Sequence, residues 1–334
     1  MADTLERSVV GGQHSAAQLL DEIAQAVLSN PSIAAKRDIR LVSDVLGESG
    51  WVEGPGDDGA VVSVAGASVI ACGEAIWPPF VAADPYGAGI AAVLANVNDV
   101  AAMGGLPLAI VDTVVASRQT ARSVLEGMRY ASALYRVPIV GGHLTITDGP
   151  ASLSAFAVGH ADTVLSSTNV ASGQDLVVVA CTDGRMRSDF PFFASFDERG
   201  DRLGDDVRLF SAIASRGLAR GAKDISMAGL VGSLAMLLEW GSFGVIIDVD
   251  AVPTPRDVPL GQWFNCFPCF GFLLTCDPET TQECISVFVD AGLSAAKVGV
   301  IDQTGVISVA VDGEIRHLID AQDTPATGLE RAQD

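Results

Sequence analysis

Gly54 to Val62 reads G-P-G-D-D-G-A-V-V, and Cys72 to Phe80 reads C-G-E-A-I-W-P-P-F. Asp84 to Gly105 reads D-P-Y-G-A-G-I-A-A-V-L-A-N-V-N-D-V-A-A-M-G-G, and Val137 to His143 reads V-P-I-V-G-G-H. Two short apolar runs, Ala60–Val64 and Ser68–Cys72, flank Ala65-Gly66-Ala67 and predict a β-hairpin. Asp57 and Asp58 precede its first strand and Glu74 ends its second. Adjacent carboxylates before a buried strand repel each other unless water or a cation intervenes, and three at one end of a hairpin favour a cation. Asp84 is a good N-cap and Pro85 a good first-turn residue for a helix running to about Met103, which Gly104-Gly105 ends. Ala92, Asn96, Asp99 and Met103 share one face of it, lined with small side chains. A polar pair on such a face needs partners, from the protein or from a ligand. Asp57, Asp58, Glu74 and Asp99 thus collect where polyphosphate and divalent cations can be gathered, and the chain reads first as a nucleotide enzyme.

Outward from this stretch, Leu108–Ala116 is an apolar strand interrupted by Asp112, whose charge must pair, face an opening or meet a cation. A helix over 120–135, a short strand Ile139-Val140 and a strand Leu153–Val158 complete an α+β layer with helices on one face. Gly141-Gly142-His143 predicts a backbone turn close to a ligand. Upstream, residues 1–13 read as loose, and helices are predicted over Ser15–Leu28 and Ser32–Leu46. The second helix carries Lys36, Arg37 and Arg40, either as a solvated face or, through Lys36 or Arg37, as a phosphate contact. Polar Thr163–Gln174 marks a domain boundary, and Asp175–Ala180 opens a second domain as a buried strand. Residues 182–202, rich in Arg and Phe, read as an insertion or lid. Lys223-Asp-Ile-Ser-Met-Ala-Gly-Leu230 leads into a helix through Glu239, whose first N–H groups face outward for an anion. Val298–Ile301 and Gly305–Val311 read as closing strands, and the region after Leu318 as a frayed tail. The expected organisation is an N-terminal helical segment over 1–50, one domain over 51–165, a second over 172–318, and a flexible tail over 319–334.

Composition sets the outer bounds. A chain of 334 residues with 49% hydrophobic and 18% charged residues suits two packed cores. With 41 acidic against 20 basic residues and a formal net charge of −21, its field repels polyanions, and no basic patch argues for nucleic acid. Small phosphate-bearing molecules stay possible because a bound cation reverses the local sign. The six cysteines include Cys266-x-x-Cys269, but phenylalanines surround the pair and no histidine or second pair completes a zinc set, so both read as buried apolar thiols. There is no signal-peptide pattern and no apolar run of membrane length, and a reducing cytoplasm is expected.

Four ordered segments resemble the aminoimidazole ribonucleotide (AIR) synthetase superfamily, which includes thiamine-monophosphate kinase, selenophosphate synthetase, formylglycinamide ribonucleotide amidotransferase and hydrogenase maturation factor E. G-D-D-G-A-V-V at 56–62 resembles the kinases' G-D-D-A-A-V. N-V-N-D-V-A-A-M-G-G-L-P at 96–107 is similar to N-L-S-D-L-A-A-M-G-A-x-P, and V-P-I-V-G-G at 137–142 to V-P-L-V-G-G-D. K-D-I-S-M-A-G-L at 223–230 resembles D-x-S/T-x-G-G-L. The likeness is strongest to a bacterial AIR synthase-related branch with G-E-A-I-W-P and A-K-D-I-S-M-A-G-L as distinctive segments.

The resemblance implies a PurM-like architecture: an α+β N-terminal domain whose sheet forms a dimeric core, followed by an α/β C-terminal domain. It implies ATP and Mg2+ in a cleft, a homodimer, and phosphoryl transfer to, or ATP-driven activation of, a small-molecule substrate. It nominates Asp57, Asp58, Glu74 and Asp99 as metal ligands. Lys36, Asn96, Gly141, Gly142, His143 and Asp224 are expected at the nucleotide, with Asp58, Asp99 and His143 closest to the chemistry. Two departures stand out. His143 occupies the position of the kinases' aspartate, and Met227-Ala228 replaces a carboxylate, which opens the alternative of a noncatalytic nucleotide sensor or assembly protein.

Overall fold

The structure, a computed structural model, describes residues 15–47, 56–321 and 323–329. The expectations for residues 1–13 and for Gly54-Pro55 lie outside the described residues.

In the first domain the expected hairpin forms from β1 (Ala60–Val64) and β2 (Ala67–Ile76), with Val61 opposite Ile70. The second strand runs further than its apolar run suggested, so Glu74 sits within β2, opposite Ala155, and does not end it. With β3 (Leu106–Ala116), β4 (Ile139–Ile146) and β5 (Ser152–Ala161) these strands make a five-stranded sheet in the order β1-β2-β5-β3-β4. Here the sequence reading needs correction. Gly141, Gly142 and His143 form no turn: they continue β4, which pairs parallel with β3. Glycine is needed at 142 because a Cβ there would meet the Asp112 carboxylate on the neighbouring strand.

One face of this sheet is covered by two long helices. Helices α1 (Ala16–Leu28), α2 (Pro31–Ala35), α3 (Arg40–Leu46) and α4 (Pro78–Ala83) precede them. The long pair is α5 (Pro85–Ala102) and α6 (Arg118–Tyr135), capped by the side chains of Asp84 and Ser117. They approach backbone to backbone. A Cβ on Gly89 would strike the Val124 carbonyl oxygen, and one on Gly127 the Tyr86 carbonyl oxygen. The opposite sheet face carries exposed Leu108, Phe156 and Val158, and the edge strand β4 exposes Val140, Leu144 and Ile146. The period-2 alternation of β5, with Leu153, Ala155 and Ala157 buried, separates these two faces.

The second domain is built on β6 (Asp175–Ala180), β9 (Gly221–Asp224), β10 (Gly244–Asp248), β12 (Gly271–Cys276), β13 (Ser294–Asp302), β14 (Val306–Val311) and β15 (Glu314–Asp320). They form a seven-stranded sheet in the order β15-β14-β10-β13-β6-β12-β9. Its pairs are antiparallel apart from β10–β14. At β6, β9 and β12 both faces are buried. Val177, Val179, Phe272 and Leu274 join a core that runs continuously into the first domain, whereas Leu176, Val178 and Leu273 face a second core under α1 and the helix Gly229–Glu239.

Three further expectations change. The N-terminal helix is no separate segment, because Leu20, Ile23 and Val27 of α1 bury their apolar stripe in the second domain's core. The predicted helix over 32–46 is broken by a 3₁₀ turn at Lys36–Ile39. The expected tail is ordered where described. Asp320 closes β15, and Glu239 accepts hydrogen bonds from the Thr327 N–H (3.0 Å), the Thr327 hydroxyl (2.6 Å) and the Gly328 N–H (3.2 Å). A lone Thr-Gly pair gives no sequence signal for a carboxylate 88 residues away. Residues 182–202 are likewise structured. β7 (Arg185–Met186) and β8 (Phe192–Ala194) pair with β11 (Phe267–Pro268) in a small sheet, followed by short helical turns.

Because α5 carries residues of the cleft described below, its seating against α6 should control both stability and binding. Gly127→Ala should cost more than about 2 kcal/mol, the scale of overpacking a tight interface, read as a lowered denaturation midpoint at unchanged slope in urea.

Candidate functional site

Between the two domains lies a cavity of about 590 Å³. Asp99, Ala95, Leu94, Ala91, Ile90 and Gly87 make up one wall along α5. From Gly87 to Asp99 that wall is about 18 Å long at 1.5 Å per helical residue. At its Asp99 end gather Asp57, Asp58, Glu74, Lys36, Lys223 and Asp224. Toward the N-terminus of α5 the lining turns aromatic, with Phe80, Phe190, Phe192, Phe196 and Phe267.

The acidic end is assembled from both domains. Asp58 comes from the turn before β1, Asp99 from the last turns of α5 and Asp224 from the end of β9. Their carboxylate oxygens lie within 4.8 Å of one another. Asp58 is held on both oxygens. The Lys223 ammonium donates to one, and the backbone N–H of Asp224 donates to the other at 2.9 Å. Lys223 also donates to Asp224 at 3.2 Å. Burial pushes the Asp58 carboxyl up to about 7, with Lys223 opposing and Asp224 adding to the rise. Burial likewise raises Asp99 well above the usual carboxylate range, helped by the charges of Asp224, Asp58 and Glu74. At Lys223 burial works against the charge, but Asp58 and Asp224 outweigh it and hold the ammonium above the ordinary lysine value. Desolvation raises Glu74 too, with Lys36 pulling the other way.

The other residues expected at the site are distributed differently. Asp57 lines the cavity, but its carboxylate is taken by the linker, accepting from the Ser166 hydroxyl at 2.6 Å and the Ser167 N–H at 2.8 Å. Lys36 and Glu74 line the cavity outside the tight trio. Asn96 does not reach it. Its amide donates to the carbonyls of Ala92 (2.8 Å) and Ala155 (3.2 Å), so helix and sheet satisfy it. Gly141, Gly142 and His143 are exposed on β4 and line no part of the cavity, and the His143 ring meets Thr145 at 3.2 Å. The strand geometry that replaced the expected turn is the physical reason. Asp112, beside Gly142, is also outside the cavity.

One contributor has no counterpart among the sequence expectations. Lys223 carries no sequence signal beyond opening the segment that leads into the helix through Glu239; the pairing of β9 with β12 buries it, leaving it 6% exposed. Side chains of residues 182–202, the expected insertion or lid, do cross to the first domain. Phe190 stacks on Phe80 with ring centroids 5.1 Å apart, and Arg187 bonds Asp84 at 3.0 Å and Asp189 at 2.8 Å. Cys266 and Cys269 are both buried, and burial pushes each thiol up to about 12.

The trio fits magnesium. Ligands of one such ion stand roughly 3–4 Å apart around bonds of about 2.1 Å, all from oxygen, so oxygens within 4.8 Å close on an ion with small shifts. The sheltered hydroxyl of Ser226, on the cavity wall, has no hydrogen-bond partner among the described residues, as befits a group reserved for a ligand.

Residues 56–161 match the N-terminal domain of the AIR synthase related proteins and residues 198–312 match their C-terminal domain. An uncharacterised protein of Synechocystis sp. is 32% identical over 305 residues, 89% of this chain and 94% of its own length. Among solved structures, Thermotoga maritima PurL complexed with ATP superposes with a TM-score of 0.70 at 22% identity, covering 81% of this chain and 46% of PurL, so this chain spans about half of that protein. A ThiL complexed with AMPPCP and TMP superposes with a TM-score of 0.65 at 18% identity, over 84% of this chain and 96% of ThiL. Two matched domains in the right order, with a full-length relative, show that the chain belongs to the AIR synthase related protein family.

Proposed function

We propose that the cleft binds ATP with magnesium and uses it to phosphorylate, or to activate through phosphorylation, a small metabolite. The observation that carries this reading is the trio Asp58, Asp99 and Asp224, drawn from two domains onto one point of a cavity large enough for a nucleotide. A structural role alone does not explain three desolvated carboxylates sharing one ammonium, which leaves an excess of negative charge that burial makes expensive. Bound magnesium would neutralise the phosphates and hold the transferred group for in-line attack. Asp58 is positioned by Lys223 and the Asp224 N–H before any ligand arrives, so little reorganisation is left for binding. The phosphate chain meets the acidic end, and the aromatic end offers a dry wall for a ring. Ligands seen in PurL and ThiL support the nucleotide, and the family supports an enzyme.

We place a second copy of the chain on the open sheet face of the first domain. Leu108, Val111, Phe156 and Val158 are exposed on it, with Val111 directly opposite Phe156, and β4 is an edge strand of the sheet among the described residues. Sedimentation at micromolar concentration should give a dimer, and Phe156→Glu should shift it to monomer.

Replacing Asp99 by Asn keeps the shape and removes one charge. Calorimetric titration should show Mg-ATP affinity falling more than about tenfold, or ~1.4 kcal/mol. Unchanged affinity, against a wild type that binds, overturns the assignment.

The raised carboxyls also set a pH dependence. An acid whose pKa rises on folding keeps its proton in the folded chain after the unfolded chain has lost it. Its stabilising effect is therefore complete below the ordinary value of 3.8 and lost as pH climbs through about 7, the value for Asp58. Melting of the metal-free protein should fall across that window, and magnesium with ATP should restore it near pH 7. Asp99→Asn should raise the metal-free melting temperature at pH 7.5 by roughly 2–4 °C, on the order of 1 kcal/mol, with no gain at pH 4.

A further inference from the structure

Lys223 is the one ammonium in contact with the carboxylate trio among the described residues. Its nitrogen contacts Asp58 and Asp224, two of the three groups able to hold a metal. The side chain is 7% exposed, on a strand buried along its whole length, so its charge has nowhere else to go. When a cation holds all three carboxylates ionised, they and the one ammonium sum to −2, which a single divalent ion cancels. Of the further carboxylates that line this end, Asp57 is taken up by the linker, and Lys36 opposes the charge of Glu74. His143 is exposed on the edge strand, and Met227-Ala228 carries no charge.

Accepting the nucleotide reading above, we infer that Lys223 stands in the place of a second metal ion. The cleft then takes one divalent cation with its nucleotide, and the Lys223 ammonium supplies the other positive charge facing the phosphates. A lysine is a compact point charge with three donors, suited to bridging carboxylates and phosphate oxygens but unable to expand its coordination as a metal does. This arrangement makes part of the neutralising charge permanent. Part of the phosphate affinity should therefore survive removal of the divalent ion.

Manganese provides the count. The free ion has a strong paramagnetic resonance signal that is lost on binding, so stoichiometry can be read without turnover. The full chain with excess non-hydrolysable AMPPNP should bind one Mn2+ per chain. Lys223→Met should bind two, and without nucleotide its first Mn2+ should bind at least about tenfold more tightly than in the wild type, since an ammonium no longer competes for the carboxylates. Its melting temperature should drop in chelator and recover with Mn2+ by more than the wild type gains. Lys223→Arg, which keeps the charge, should bind one. Two ions in the wild type, or one in a folded Lys223→Met protein, overturn the inference. If Lys223→Met does not fold even with Mn2+, the wild-type count decides: one ion supports the inference and two overturn it. A wild type that binds neither AMPPNP nor Mn2+ instead rejects the nucleotide reading on which this rests.

Discussion

Asp58 reaches out of the first domain and is gripped by the second, through the Lys223 ammonium and the Asp224 N–H. The arrangement of the cleft depends on this contact. It is costly in isolation, because ions this deeply buried give up their hydration. It becomes tolerable because each Asp58 oxygen has a donor, while the two further carboxylates beside the pair add to its cost until a cation arrives. Asp57, the neighbouring residue, performs a quieter version of the same task by accepting from Ser166 and Ser167 in the linker. Consecutive acids thus serve two ends, one tying down the linker and the other facing the cavity.

Much of this was legible in the chain. The α5 helix was readable because its cap, first-turn proline and terminal Gly-Gly are local signals, and its length follows from them. Asp58 and Asp99 were singled out because carboxylates before a strand and on a small-residue face are unusual, and the geometry brings them together with Asp224. The misreadings at Gly141-Gly142 and Asn96 share a cause: they concern contacts set by strand neighbours beyond the local sequence. Gly141-Gly142 suggested a turn, but a glycine pair also suits a strand whose neighbour presents Asp112. Asn96 looked available to a ligand until β5 supplied the Ala155 carbonyl. Lys223 carries no local mark at all. Its meaning arises from Asp58, 165 residues earlier in the chain.

The aromatic end of the cavity has a different character. Arg187 is paired with Asp84 and Asp189, and Phe190 rests on Phe80, so that region presents flat apolar surface to the cavity with the guanidinium already engaged. A cleft with an acidic end and an aromatic end treats the two parts of a bound molecule by different physics. Ions and hydrogen bonds hold one part, and area removed from water holds the other. The first is screened by salt while the second is strengthened by it.

The core that holds Ile110 and Val114 of β3 also holds Val177, Phe272 and Phe288 of the second domain, without a break at the linker. Two domains that share one apolar interior have no separate melting points to express, since neither can expose its side of the interior without exposing the other's. That coupling favours loss of structure in a single calorimetric event over two. Free energy gained by a molecule settling between them is then distributed over the whole chain, and the linker-spanning interior makes occupancy of the cleft a property of global thermal resistance rather than of local order.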